Sequence, residues 1–192
     1  MLIAYRLQLS TENMERIFII GYMGSGKTTV GRLLARSLSL EFIDLDAYIE
    51  NKYRQTISAL FAGKGEEEFR KIESQALQEV AQFEDVVIST GGGAPCYSDN
   101  MELMNRAGTT VYIKARPEEL AARLQASKTV RPLIAGKPKE ELIPFITQHL
   151  AQRERYYNSA HIVYQTDRMI TKKDIHVTVR GIEELLRKRR EQ

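Results

Sequence analysis

Short apolar runs alternate along this chain with stretches of helical spacing. The first run, Ile17, Phe18, Ile19 and Ile20, is unbroken, as expected of a strand covered on both faces. After a glycine-bearing stretch come Val30, Leu33, Leu34 and Leu38, whose spacing predicts a helix ending near Ser39. A short strand is expected at Glu41, Phe42 and Ile43, followed by a helix from Ala47. The segment Thr56 to Phe61 reads as a short amphipathic helix closed by Gly63 and Gly65, with a longer helix opening on Glu66, Glu67 and Glu68. Val86, Val87 and Ile88 predict a buried parallel strand, and Thr110 to Lys114 another, with Pro117 starting the helix behind it. A helix over Glu140 to about Asn158, a strand at Ile162, Val163 and Tyr164, and a last helix ending in Arg187 to Arg190 complete the pattern. Strands separated by helices in this way predict a parallel, three-layer α/β domain.

The turn after the first strand carries the most specific chemistry. It reads GYMGSGKTT and contains GxxxxGKT at Gly21, Gly26, Lys27 and Thr28. Strand, glycine loop and helix in that order make a phosphate cradle: backbone N–H groups of Gly24, Ser25 and Gly26 converge on phosphate oxygens, and the helix N-terminus adds its positive end. Lys27 reaches the terminal phosphates in such a loop, and the Thr28 hydroxyl, with Thr29 beside it, offers the hard oxygen that Mg²⁺ prefers. A nucleotide and Mg²⁺ are therefore the expected ligands. Asp44 and Asp46 stand at the carboxyl end of the next strand, where ligands of a parallel sheet bind. One could serve the Mg²⁺ shell and the other a substrate hydroxyl; alternatively Asp46 caps the helix beginning at Ala47.

Arg70 lies four residues after Glu66 and three before Glu73. On a bare helix these are surface ion pairs of little worth, but Glu73 could also hold the guanidinium fork toward a ligand carboxylate. Gly91, Gly92 and Gly93 let the backbone approach a ligand or make a sharp exit turn. Between Gln125 and Lys139 the periodicity lapses into a basic stretch with Pro132, Gly136 and Pro138, where a lid over phosphates is expected at about 126–138.

Composition narrows the rest. At 192 residues one domain is expected over 14–192. Residues 1–13, interrupted by Arg6 and without a basic leader or cleavage pattern, read as a disordered arm, with Met14 an alternative first residue. Cys96 is the single cysteine, which rules out an intrachain disulfide and favours a reducing, cytoplasmic setting. No apolar run approaches a membrane span, the net charge of +3 gives no nucleic-acid footprint, and the terminal basic cluster complements a helix end. A monomer with small-molecule substrates, and neither nucleic acid nor membrane as partner, is the expectation.

Four ordered blocks, GYMGSGKTTVG, FIDLD, FAGKGEEEFRKIE with TGGG, and VRPL with RERYY, resemble the shikimate kinases, small P-loop kinases related to the nucleoside monophosphate kinases. The resemblance spans Arg16 to Leu186 and implies a P-loop kinase fold with substrate-binding helices and a mobile lid. It also implies an ATP-dependent transfer to the 3-hydroxyl of shikimate, in aromatic amino-acid synthesis. By the same resemblance Asp46 binds the shikimate hydroxyls and takes or orients the proton, and Asp44 reaches Mg²⁺ through water. Arg70 and Arg153 clamp the carboxylate, Gly91 to Gly93 contact the ring, and Phe61 and Phe69 line its pocket. Arg131 closes on the phosphates from the lid. Arg123 stands one residue short of the arginine that stacks on adenine in the family, with Leu124 in that place. A gluconate-type kinase or a non-catalytic nucleotide-binding regulator on the same scaffold would be the alternatives.

Overall fold

A computed structural model describes residues 15–127, 134, 136–166, 169 and 171–191. Five strands form one parallel sheet: β1 (Arg16–Ile20), β2 (Glu41–Asp44), β3 (Val86–Ser89), β4 (Thr109–Lys114) and β5 (Ile162–Gln165), in the spatial order β2-β3-β1-β4-β5. The most apolar strand therefore takes the centre. Arg16 pairs with Val86 on one side, and Ile17 pairs with Thr109 on the other.

Alternation along the strands divides the core in two. Phe18, Ile20, Ile88 and Tyr112 face one apolar cluster, while Ile17, Ile19, Val87, Val111 and Ile113 face the other. Helices cover both faces, which is what a parallel sheet with two buried sides requires. They are α1 (Lys27–Leu38), α2 (Leu45–Tyr53), α3 (Ile57–Val80), α4 (Asn100–Ala107), α5 (Pro117–Ala126), α6 (Lys139–Tyr157) and α7 (Lys172–Arg190).

One expectation of helix boundaries is met and two are corrected. The two helices expected on either side of Gly63 and Gly65 both lie within α3 and meet at a kink at the second glycine, Gly65, whose φ of 79° and ψ of 171° are not helical. The helix after β2 begins at Leu45 rather than Ala47, and its cap is Asp44, whose carboxylate accepts from the Asp46 and Ala47 amides. The cap thus sits on the last strand residue, which the apolar pattern could not locate. Finally, a 3₁₀ turn at Ala94–Cys96 and α4 follow the glycine run, where no helix was expected. Both are short, and Asn100 secures the segment by donating to the Ala94 carbonyl at 2.9 Å.

Candidate active site

The sheet presents its carboxyl edge to a cleft of about 290 Å³, lined by the loop after β1, the start of α1, the β2 end, the β3 exit and the end of α5. Met23, Gly24, Gly26, Lys27, Thr28 and Thr29 form its floor, Asp44 and Asp46 one wall, and Thr90, Gly91 and Gly92 another. Gly26 caps α1 at φ 92°, a left-handed conformation that a side chain would strain. Ser25 is fully buried, and Lys27, 9% exposed, donates to the Tyr22 carbonyl at 3.0 Å, folding its ammonium back over the loop. The Thr28 hydroxyl donates to Asp44 Oδ2 at 2.7 Å. A hydroxyl and a carboxylate in contact at a helix N-terminus are hard oxygen donors of the kind Mg²⁺ takes alongside nucleotide phosphates. No group of three or more His, Cys, Asp or Glu side chains suited to a metal occurs among the described residues.

A second group of side chains adjoins this cradle. Arg70, half-buried on α3, donates from Nη1 to Glu73 at 2.7 Å and from Nη2 to Glu66 at 3.2 Å. Its guanidinium stacks 4.2 Å from the Tyr97 ring centre and lies 5.4 Å and 5.7 Å from those of Phe69 and Phe61. Glu73 is 1% exposed, and burial pushes its carboxyl above the usual range against the pull of Arg70; Asp46 pushes the same way. The glycines let these groups meet. A Cβ at Gly91 would lie 2.6 Å from Glu73 Oε1 and 3.0 Å from Asp46 Oδ1, and one at Gly93 would lie 2.6 Å from Arg70 Nη1. The Gly92 carbonyl accepts from Arg153 Nη1 at 3.3 Å and from the Tyr157 hydroxyl, so α6 is tied to the same strip of backbone.

The structure therefore brings together Gly24 to Thr29, Asp44, Asp46, Phe61, Phe69, Arg70, the three glycines and Arg153, from elements far apart in sequence. Arg131, and most of the expected lid, lie outside the described residues, as do residues 1–13. Arg123 and Leu124 both line the cleft, and Leu124 reaches to within 3.0 Å of where a Gly24 Cβ would stand, so both helix positions face the cradle. Arg123 pairs with Glu119 at 3.4 Å, and burial lowers its pKa. Cys96 is half-buried at the 3₁₀ turn, and burial pushes its thiol up, away from reactivity.

Four further residues join the site without having been expected there. Tyr22 in the loop shares a 2.8 Å hydrogen bond with His149 Nδ1 and lies under Arg153, 6.0 Å from its ring centre; burial raises the Tyr22 phenol to about 12. Burial, and then the Arg153 charge, lowers the pKa of His149. Tyr97 donates to Glu66 at 2.7 Å, and Tyr157 holds Gly92. Only contacts across the fold reveal them, although an aromatic within the GxxxxGKT loop was a usable signal for Tyr22.

A parallel α/β domain with a phosphate loop at its carboxyl edge, and a separate arginine-rich pocket opening on the same cleft, defines a P-loop kinase of small metabolites. The family model for shikimate kinase matches residues 23–183. A shikimate kinase from Parabacteroides distasonis is 54% identical over 163 residues, covering 85% of this chain and 94% of that one. The crystal structure of the Bacteroides thetaiotaomicron shikimate kinase superposes with a TM-score of 0.88 at 47% identity, covering 91% of this chain and 99% of the other. An Acinetobacter baumannii shikimate kinase in complex with shikimate gives 0.84 at 31% identity, covering 96% and 99%. The chain belongs to the shikimate kinase family.

Proposed function

We propose that this chain transfers the γ-phosphoryl group of ATP to the 3-hydroxyl of shikimate, giving shikimate 3-phosphate and ADP. The observation that carries the proposal is the meeting of Arg70, Arg153 and Asp46 along Gly91 to Gly93, next to a phosphate cradle. A ring acid of this size needs guanidinium forks for its carboxylate and a carboxylate for its hydroxyls, and both stand here away from the nucleotide loop. The solved relative with shikimate bound supports the same acceptor.

Phosphoryl transfer asks the protein mainly for alignment and positive charge. Backbone amides of Gly24 to Thr29 hold the phosphates, and Lys27 leaves the Tyr22 carbonyl to reach the transferring group. Asp46 orients the acceptor hydroxyl and takes its proton as the oxygen attacks. Arg70 and Arg153 fix the carboxylate so that the hydroxyl faces phosphorus, while Phe61 and Phe69 exclude water. Thr28 and Asp44 would hold Mg²⁺, which supplies charge neutralisation across the phosphate oxygens. Arg131, within a lid at about 126–138, would add positive charge on closure. The same reading makes the chain a cytoplasmic, monomeric enzyme of one domain over 14–192, with no nucleic-acid or membrane partner. No described helix is long and apolar enough to cross a membrane.

The test is coupled ADP release with shikimate, quinate and gluconate in parallel. Turnover confined to shikimate is expected; faster turnover of gluconate would overturn the proposal. The metal assignment has its own check. Asp44→Asn should raise the Mg²⁺ concentration needed for half-maximal rate by roughly 10- to 100-fold, the usual effect of losing an outer-sphere partner. Its Tm should hold, because asparagine caps a helix as well as aspartate does. An unchanged Mg²⁺ requirement would remove Asp44 from the metal site.

A further inference from the structure

Arg70 carries a half-used fork. Nη1 is committed to buried Glu73, and Nη2 to Glu66, yet Nε is buried and makes no hydrogen bond. The Nε and Nη2 edge is the one a planar carboxylate grips with two parallel bonds. One of its two nitrogens is thus engaged by a carboxylate of the protein itself, and the other waits. Glu66 is no ordinary surface partner. The Tyr97 hydroxyl donates to the same Oε1 that Arg70 holds, while the Tyr97 ring stacks on the guanidinium. Tyr97 and Arg70 together lower the Glu66 pKa, so it stays charged in this place.

We propose that Glu66, pinned by Tyr97, is an internal stand-in for the acceptor carboxylate that keeps the Arg70 fork charge-balanced and must be displaced when the acceptor binds. The inference rests on shikimate being the acceptor. Its exchange has a ready path. The Glu66 side chain is 52% exposed, so water can solvate it once it leaves, whereas that of Arg70 is only 12% exposed. Gly65, the one non-helical residue in α3, precedes it directly, and a Cβ there would meet nothing within 4 Å. A joint in open space therefore adjoins the group that has to move. Glu73 shares none of this freedom and remains the fixed anchor of Nη1. The effect of such a stand-in is to oppose binding of any single anion to Arg70, while a ring acid held also by Arg153 can still displace it.

Glu66→Gln keeps the shape and removes the competing charge. The shikimate KM should fall roughly three- to fivefold, the scale of a part-exposed ion pair. The KM for ATP should not fall, and sulfate should inhibit more strongly against shikimate. Tyr97→Phe, which frees Glu66 from its pin, should shift the shikimate KM in the same direction by less. A shikimate KM that is unchanged or raised in Glu66→Gln would overturn the proposal, as would an equal drop in both KM values. Wild-type enzyme assayed alongside separates the two ideas: no shikimate turnover there means that the acceptor is wrong, whereas normal turnover with a raised KM in the variant defeats only the role of Glu66.

Discussion

Asp46→Asn should lower kcat for shikimate by roughly 10²- to 10⁴-fold, the range in which a positioned proton acceptor contributes, while nucleotide affinity stays within about twofold. Asparagine preserves volume and can still accept a hydrogen bond, but it cannot take the proton that the attacking hydroxyl must lose. The α2 helix start does not depend on this side chain, since Asp44 supplies the cap. Loss of rate would therefore not reflect loss of local structure. Removing one negative charge also relieves Glu73, whose carboxyl Asp46 helps to push upward, so thermal stability should not drop. Kinetics with saturating ATP and a nucleotide titration of the same variant make the check, and a kcat within threefold of wild type would refute the proton-acceptor role.

Arg70→Ala should reduce kcat/KM for shikimate by roughly 10²- to 10³-fold, as expected when one partner of a desolvated charge pair is truncated. ATP affinity should be nearly intact, because Arg70 touches Glu66, Glu73, Tyr97 and Gly93 rather than the phosphate loop. The variant also strands Glu73, 1% exposed, without its counter-charge, so some loss of Tm is expected. Arg70→Lys separates the two effects: the charge survives, so stability should largely return, but a point charge cannot make the two-pronged grip and activity should not. Wild-type kcat/KM in Arg70→Ala would remove the carboxylate clamp from the mechanism.

Much of this was legible in the residues. The unbroken Ile17 to Ile20 run and the glycine loop after it located the central strand and the nucleotide end of the site, because a buried parallel strand and a phosphate cradle both have local signatures. The Arg70 and Glu73 pairing was legible as a spacing, and the structure gives it meaning by burying Glu73. The break at Gly65 was legible too, because glycines mark it, but the helix start after β2 was not, since it depends on the Asp44 side-chain cap, which periodicity does not encode. Tyr22, Tyr97, His149 and Tyr157 escaped for another reason: their roles exist only as contacts between elements separated by many tens of residues. The adenine side stayed ambiguous in the sequence because Arg123 and Leu124 are neighbours, and both prove to face the cleft.

The order β2-β3-β1-β4-β5 also bears on how the molecule comes into being. The partners of Ile17 to Ile20 at Val86 and Thr109 emerge from the ribosome many tens of residues after them. At ordinary rates of synthesis that leaves the stickiest stretch unsheltered for roughly 5 to 20 seconds. A nascent chain of this kind invites chaperone capture, and truncated products ending before Thr109 would expose one flank of that strand and aggregate.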